Sequence, residues 1–223
     1  MRQLSEHRHP RQNRPSSPRR PERGRKADAT KEQHDSPLQF LRSFMREPFK
    51  VGAFLPSSRG LSRVVVDSCE IKPGHVVVEL GPGTGAFTGL ILNRLSSHGR
   101  LLAVETNSTH ATILQRRFPQ CEVIQDSAAN LSRHLHGRRA DCIVSGLAWG
   151  NMFPRTQNQI FKAILDSLKP DGQLIAFAYL HAAWFPTSRR FRHHLQQHFK
   201  QVDTTPIVWR NLPPAFVFRC LRA

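Results

Sequence analysis

The sequence predicts a doubly wound α/β domain with a C-terminal antiparallel hairpin, and three observations support this prediction. Short β-branched runs alternate with helical stretches between residues 57 and 179, an order typical of parallel strands joined by helices. A glycine turn directly follows the first run, where the backbone of such sheets approaches a ligand. The last two apolar runs are joined by a link too short for a crossover helix, so they must pair antiparallel.

Each element follows from its local pattern. Parallel strands are expected at 75–80, 101–105, 121–125, 140–145 and 173–179. Helices are expected near 57–69, 86–96, 108–117 and 155–168. The hairpin is expected at 201–209 and 215–221, with Asn211-Leu212-Pro213-Pro214 as its turn. Together these elements make a seven-stranded, Rossmann-like sheet.

Residues 1–36 differ in composition from the rest of the chain. They hold ten Lys or Arg against five Asp or Glu, with several prolines and few apolar side chains. Such a segment cannot form a core, so we expect a disordered basic tail followed by one domain at 37–223; a basic arm that binds anionic lipid or nucleic acid is the alternative. The tail carries +5 of the formal net charge of +17, which leaves +12 on the domain. A polyanionic partner is therefore expected, and both a membrane and RNA remain possible.

The domain begins with a predicted amphipathic helix at 37–50. Its apolar positions follow three- and four-residue spacing, whereas Arg42, Arg46 and Lys50 line an adjoining stripe. The helix either caps the sheet or binds an anionic membrane surface. A second basic and aromatic segment, at 182–194, suits either a lipid interface or stacked bases.

Several sequence features bear on the cellular location. No apolar run approaches the roughly 18 residues needed to span a bilayer, and no signal peptide is evident. The four cysteines, Cys69, Cys121, Cys142 and Cys220, lack paired spacing, which indicates reduced core residues. We expect a cytoplasmic protein, peripheral at the inner membrane face. No metal is predicted, because the histidines lack the sequence context of a metal site.

The glycine turn predicts a nucleotide-cofactor site. Gly81, Gly83 and Gly85 follow the first strand, and Glu105 stands where an acidic residue binds a ribose diol. This spacing also satisfies the dinucleotide fingerprint, so a nicotinamide cofactor or a fold that binds neither remains an alternative. However, Glu79 ends the strand, and its carboxylate would repel a pyrophosphate while it could face the cationic amino group of S-adenosylmethionine. S-adenosylmethionine is therefore the favoured cofactor.

Polar and aromatic residues at other strand ends complete the predicted site. Asp126 and Ser127 follow the third strand and could accept the adenine amine. Tyr179 is the only tyrosine and closes the fifth strand at the carboxyl edge, where its phenol could hold an attacking amine or simply anchor the strand. Trp149 and Asn151 follow the fourth strand, and aromatic rings stabilise a developing ammonium charge.

Five stretches of the chain resemble bacterial phospholipid N-methyltransferases over about residues 38–221. They are Val51-Gly52-Ala53-Phe54-Leu55-Pro56-Ser57-Ser58, Glu79-Leu80-Gly81-Pro82-Gly83-Thr84-Gly85, Ser145-Gly146-Leu147, Phe177-Ala178-Tyr179 and Asn211-Leu212-Pro213-Pro214-Ala215. The glycine motif is common to many methyltransferases, whereas the first and last stretches are more particular. The family is related to rRNA adenine dimethyltransferases. The resemblance implies the class I methyltransferase fold.

The resemblance also implies an activity: methyl transfer from S-adenosylmethionine to the amine of phosphatidylethanolamine, towards phosphatidylcholine, by an enzyme docked through its N-terminal helix. For the cofactor it implies Glu79, Gly81, Gly83 and Gly85 at the methionine part, Glu105 at the ribose, Asp126 and Ser127 at the adenine, and Ser57, Ser58 and Ser145 completing the site. An rRNA adenine methyltransferase is the alternative, although the Asn-Pro-Pro-aromatic arrangement of base amine methylases is absent after the fourth strand. A non-catalytic lipid-binding protein of this fold is a further alternative.

Overall fold

The computed structural model describes residues 57–95 and 98–222. The strands are β1 (Val76–Leu80), β2 (Arg100–Glu105), β3 (Glu122–Gln125), β4 (Ala140–Ser145), β5 (Leu168–Tyr179), β6 (Gln201–Thr204) and β7 (Ala215–Leu221). The α-helices are α1 (Arg59–Asp67), α2 (Thr88–Leu92), α3 (Ser108–Arg117), α4 (Leu131–His134), α5 (Pro154–Ser167) and α6 (Pro186–His198). Short 3-10 turns span Ala128–Asn130, Trp149–Asn151 and Leu180–Trp184. The predicted tail at 1–36, the helix at 37–50 and the motif residues 51–56 lie outside the described residues.

The sheet has seven strands in the order β3-β2-β1-β4-β5-β7-β6. The first five strands pair in parallel, and β7 runs antiparallel to both β5 and β6. This confirms the predicted doubly wound sheet and its antiparallel C-terminal pair. The strand order reverses between β1 and β4, and ligands of open α/β sheets bind outside the carboxyl ends of the strands at such a point.

The core lies on both faces of the sheet, because successive strand residues point to opposite sides. Val77 packs with α1 in one layer, and the next residue, Val78, packs with α5 and α6 in the other. Parallel strands covered on both faces read as continuous apolar runs, as β1 does. All four cysteines are buried as free thiols, as the sequence predicted.

Several boundaries differ from the sequence prediction. The strand expected at 173–179 already begins at Leu168. The helix expected over 86–96 spans only Thr88–Leu92, because the preceding loop keeps a non-helical backbone with positive φ at Gly83 and Gly85. The strand expected to reach residue 209 ends at Thr204, and Val208 then forms an isolated bridge to Ala215. Within the described ranges, no helix has the length and apolarity needed to cross a bilayer.

Candidate active site

The glycine loop after β1 requires glycine at each of its three glycine positions. Gly81, Gly83 and Gly85 have φ values of 67°, 57° and 94°, a region that side chains with a Cβ rarely adopt. A Cβ on Gly85 would also lie 2.9 Å from Leu114 Cδ1 and would collide with the Phe118 ring. A Cβ on Gly83 would meet no atom within 4 Å. The loop is therefore packed behind Gly85 and open at Gly83.

Glu105 fixes this loop from the end of the neighbouring strand. Its Oε2 accepts a hydrogen bond from the Gly83 amide at 2.9 Å, and its Oε1 accepts one from the Asn107 amide at 2.9 Å. The carboxylate is nearly buried, yet it lines the open cleft beside the loop. Each carboxylate oxygen has a second lone pair, so Glu105 can also accept hydrogen bonds from a ligand diol.

A cleft of about 1120 Å³, measured up to its open mouth, lies at the switch point. Of the residues predicted to bind the cofactor, it is lined by Ser57, Gly81, Gly83 and Glu105. Residues that the sequence analysis missed also line it, including Phe87, Thr106, Asn107, His110 and Leu147. Asn107 caps α3 immediately after β2, and polar caps after the strands of such sheets are a signal that could have identified it.

A second cavity, of about 550 Å³ up to its mouth, adjoins the cleft, and six of its fourteen described lining residues are aromatic. Trp149 and Asn151 line it. So do Phe191 and Arg192 of the basic and aromatic segment at 182–194, and Phe216 and Phe218, which the sequence analysis missed. The last two alternate along β7 and therefore share a face, a period-two signal present in the sequence. We call this cavity the acceptor pocket.

Trp149 is held rigidly in the wall of the acceptor pocket. Its ring stacks on Phe191 with centroids 4.1 Å apart and planes inclined by 10°. Its Nε1 donates a hydrogen bond to Ser145 Oγ at 3.0 Å, and its carbonyl accepts one from Gln157 Nε2 at 3.1 Å. Ser145 is fully buried and lies outside the described lining of the cleft, where it holds the Trp149 indole, so its predicted contact with the cofactor stays a prediction.

Tyr179 belongs to the walls of both cavities. Ala148 and Phe177 are also shared. The Tyr179 ring meets Phe177 edge-on at 5.3 Å and stacks on His181 at 5.7 Å. Burial raises the pKa of the Tyr179 phenol, so the hydroxyl stays protonated at neutral pH.

Comparison with known proteins gives the family. Residues 77–172 match the family described as Methyltransferase domain. Over 190 residues the chain is 30% identical to an ornithine lipid N-methyltransferase from Singulisphaera acidiphila, and the alignment covers 81% of this chain and 93% of that protein. The chain belongs to the class I S-adenosylmethionine-dependent methyltransferases. Its cofactor is therefore S-adenosylmethionine.

Two further likenesses are partial. This methyltransferase is 36% identical over 76 residues to ribosomal RNA small subunit methyltransferase A from Prosthecochloris aestuarii, an alignment covering 34% of this chain and 28% of that protein. Its fold resembles that of an rRNA methylase from Streptococcus thermophilus, with a TM-score of 0.56 and 17% sequence identity. The superposition covers 73% of this chain and 95% of that one. The first match agrees with the relation to rRNA adenine dimethyltransferases noted in the sequence, and the second shows the fold alone.

Glu79 gives this methyltransferase a buried carboxylate with spare acceptor capacity. Its Oε2 accepts a hydrogen bond from Thr88 Oγ1 at 2.6 Å, whereas its Oε1 is buried without a partner among the described residues. Burial raises the pKa of Glu79 to about 7, against the lowering effect of the Thr88 hydrogen bond. A buried oxygen of this kind needs a donor, and the amino group of S-adenosylmethionine fits that need. Glu79 does not line the cleft as described, so its contact with the cofactor stays a prediction.

Four other predicted cofactor residues also lie away from the described lining of the cleft. They are Ser58, Gly85, Asp126 and Ser127. Asp126 bonds to Asn130 Nδ2 at 2.9 Å and to His134 Nε2 at 2.7 Å, and these hydrogen bonds lower its pKa to about 2. Their predicted cofactor contacts remain predictions. The described part of the methyltransferase contains no group of three or more His, Cys, Asp or Glu side chains that could hold a metal ion.

Proposed function

We propose that this methyltransferase methylates the amine of a phospholipid, converting phosphatidylethanolamine towards phosphatidylcholine, at the inner face of the cytoplasmic membrane. The observation that carries the proposal is the aromatic acceptor pocket that shares Tyr179 with the cofactor cleft. An amine held in that pocket would be adjacent to the cleft. The relative from Singulisphaera acidiphila, an ornithine lipid N-methyltransferase, supports a lipid amine as the acceptor.

The acceptor pocket suits an amine that becomes more positively charged. S-adenosylmethionine, when bound, supplies a methyl group on a sulfonium centre. The neutral amine nitrogen forms a bond to that methyl carbon as the carbon–sulfur bond breaks, and positive charge moves onto the nitrogen. Trp149, Phe177 and Tyr179 line the pocket, and their ring faces stabilise such a charge without binding it covalently. Positioning then supplies most of the acceleration.

Three titratable groups are candidates for a role in proton transfer near the acceptor pocket. Tyr179 keeps its proton at neutral pH and therefore acts as a hydrogen-bond partner that orients the amine. His181 stacks on Tyr179, and burial lowers the pKa of its imidazole, which is therefore neutral at neutral pH. It does not belong to the described lining of the pocket, so we assign it no role in taking the proton that the incoming ammonium must lose. Asp126 is a poor base because its pKa is low, and it does not line the pocket.

Arg192 favours an acceptor that carries an anionic group. It is the one charged residue in the described lining of the acceptor pocket, and it is exposed at the surface. A guanidinium binds phosphate or carboxylate oxygens through paired hydrogen bonds. A phospholipid amine offers a phosphate close to its nitrogen, so one molecule can place its amine among the rings and its phosphate near Arg192.

RNA adenine methylation is the second candidate. The partial match to a ribosomal RNA methyltransferase and the basic charge of the chain favour it. Against it, the segment after β4 reads Ser145-Gly146-Leu147-Ala148-Trp149 and lacks the residues that grip a planar base amine.

The test is methyl transfer from a radiolabelled donor to vesicles that contain phosphatidylethanolamine and, in parallel, to ribosomal RNA. We expect label in the chloroform-soluble amine lipid. Glu105→Ala should abolish it, because the variant loses a cleft-lining carboxylate that also fixes the glycine loop. Label in RNA alone would establish the second candidate. Label in neither acceptor, from a protein that binds S-adenosylmethionine and vesicles, would indicate a non-catalytic lipid-binding protein.

A further inference from the structure

Six large apolar side chains are exposed on the described surface, and four of them belong to the segments near the acceptor pocket and the loop before β7. The exposed fractions are 81% for Phe153, 75% for Trp184, 68% for Trp209 and 46% for Leu212. Single exposed apolar residues are ordinary, whereas a group of them around a functional opening marks an interaction site. We call these four side chains the edge-loop surface.

Three members of the edge-loop surface are joined by backbone pairing at the carboxyl end of β5. Trp184 closes the 3-10 turn that follows Tyr179. Tyr179 pairs with Ala215, the first residue of β7, which brings the loop before β7 to the same end of the sheet. The Leu180 amide donates to the Pro214 carbonyl at 2.8 Å, so this bond connects the segment of Trp184 to that of Trp209 and Leu212.

Phe153 is connected to the same edge through Gln157. The Gln157 amide donates to the Phe153 carbonyl at 3.0 Å, in the first turn of α5. The Gln157 side chain donates to the Thr187 carbonyl at 3.0 Å, in the first turn of α6 and three residues after Trp184. Gln157 is fully buried, so the two helix starts are held together by an interior contact.

Two members of the edge-loop surface, Phe153 and Trp184, lie close along the chain to residues that line the acceptor pocket. Asn151, two residues before Phe153, lines the pocket, and so does Ala183, the neighbour of Trp184. Arg192 of α6 lines it as well. The edge-loop surface and the acceptor pocket are therefore built from the same segments of the chain.

The charge around the edge-loop surface has one sign. The three segments that carry it, 146–163, 180–200 and 205–214, together contain seven Lys or Arg and no Asp or Glu. Arg155, Arg189, Arg192 and Arg210 are exposed. Tryptophan and phenylalanine beside arginine are typical of protein surfaces that bind at a bilayer interface. There the rings lie among the headgroups and the cations contact phosphate.

We propose that the edge-loop surface docks on an anionic lipid bilayer and brings the mouth of the acceptor pocket to the headgroups. This inference rests on the proposed function, since a lipid amine is what the pocket would then receive. It gives the folded domain a membrane contact of its own, separate from the helix predicted at 37–50. Exposed aliphatic Leu212 favours a lipid phase over RNA, because it has no ring on which a base could stack.

The chain offers a direct test, because its three tryptophans are Trp149, Trp184 and Trp209. Residues 1–56 contain none, so tryptophan emission reports on the domain and not on the N-terminal helix. The full-length protein is mixed with phosphatidylglycerol vesicles whose acyl chains carry bromine, a short-range quencher. We expect a blue shift and strong quenching. Replacing Trp184 and Trp209 by Phe should remove the quenching and keep vesicle binding, because only the buried Trp149 remains to emit.

Cosedimentation with the same vesicles, unbrominated, gives the energetic test. Trp184→Ser with Trp209→Ser should weaken binding at least tenfold. Ile113→Ser is the matched control. Ile113 is 41% exposed on α3, which packs beside β2 and β3 at the opposite edge of the sheet. This variant should bind vesicles as strongly as the wild type. Vesicle binding without quenching, or binding equally strong in the double serine variant, would overturn the inference and leave docking to the N-terminal helix. If RNA changes the emission of Trp184 and Trp209 and the brominated vesicles do not quench it, the surface would be assigned to nucleic acid.

These measurements need neither methyl donor nor turnover. Failure of the proposed function would be seen separately, as an absence of labelled lipid when phosphatidylethanolamine is presented in detergent micelles. A variant with weakened docking should still label the micellar lipid at the wild-type rate.

Discussion

The side chain of Asn211 accepts a hydrogen bond from the backbone amide of Ser58 at 3.0 Å, across 153 positions of the chain. Asn211 is buried, and its Nδ2 donates to the Pro213 carbonyl at 2.6 Å. Ser58 in turn caps α1 by accepting from the Leu61 amide at 3.2 Å. The neighbouring Ser57 lines the cofactor cleft. The loop before β7 thus positions one wall of the cofactor site.

Asn211→Leu should weaken S-adenosylmethionine binding, because the part-buried amide of Ser58 loses its acceptor while the number of side-chain heavy atoms is kept. A donor left without its acceptor on burial costs about 1–3 kcal/mol, which corresponds to a rise in the dissociation constant of about 5- to 160-fold; for this part-buried amide we expect the lower part of that range. Calorimetric titration measures this. Asn211→Asp keeps an acceptor oxygen and should retain more of the affinity. Equal affinity in the leucine variant would show that the Ser58 contact does not shape the site.

From the sequence, Asn211 could be predicted only as part of a hairpin turn, because its contact with Ser58 is not a local feature. Turn residues can be recognised locally, because Asn and Pro favour turns whatever they contact. The contact with Ser58 depends on how β7 returns beside β5, which no local pattern specifies. The strands were predictable because burial on both faces produces continuous apolar runs. The glycine loop was predictable because its backbone excludes other residues.

The acceptor pocket was only partly predictable. Tyr179, Trp149 and Asn151 end or follow strands at the carboxyl edge, and the switch-point rule locates ligands there. Phe191 and Arg192 lie on α6, a helix that the sequence analysis had not assigned because its many polar and histidine residues blur the apolar period. The sequence therefore marked Arg192 only as part of the basic and aromatic segment at 182–194, and the packing of α6 against Trp149 is what brings it to the pocket.

A pair of glycine substitutions should separate folding from cofactor binding. Gly85→Ala places a methyl group against Leu114 and Phe118 at a φ of 94°, and strain together with overpacking should cost about 2–5 kcal/mol of unfolding free energy. Gly83→Ala meets no neighbour and should cost only about 1 kcal/mol. Because Gly83 lines the cleft, its variant should instead bind S-adenosylmethionine more weakly. Urea denaturation and calorimetry check the two effects; equal destabilisation by both variants would contradict this division.

Glu79 should make stability depend on pH. Its pKa is raised from 4.5 to about 7 in the folded state, so between these values the folded protein holds a proton that the unfolded chain releases. Stability should therefore fall as pH rises through this window, by on the order of 3 kcal/mol in total. Glu79→Gln stays neutral and should lack this component. The check is urea denaturation of both proteins at about pH 5 and about pH 8, and parallel pH profiles would refute the prediction.

Tyr179→Phe should lower turnover on the lipid substrate far more than it lowers affinity for S-adenosylmethionine. The phenylalanine ring still fills the wall between the two cavities, but the hydroxyl that orients the amine is gone. Losing a hydrogen bond that strengthens in the transition state costs about 2–4 kcal/mol, a fall in kcat of about 30- to 1000-fold. Single-turnover kinetics, with calorimetric titration of the cofactor, separates the two effects. Turnover at the wild-type rate would make Tyr179 a strand anchor. The acceptor would then be held by Trp149 and Asn151, and Asn151→Ala should show the loss that Tyr179→Phe does not.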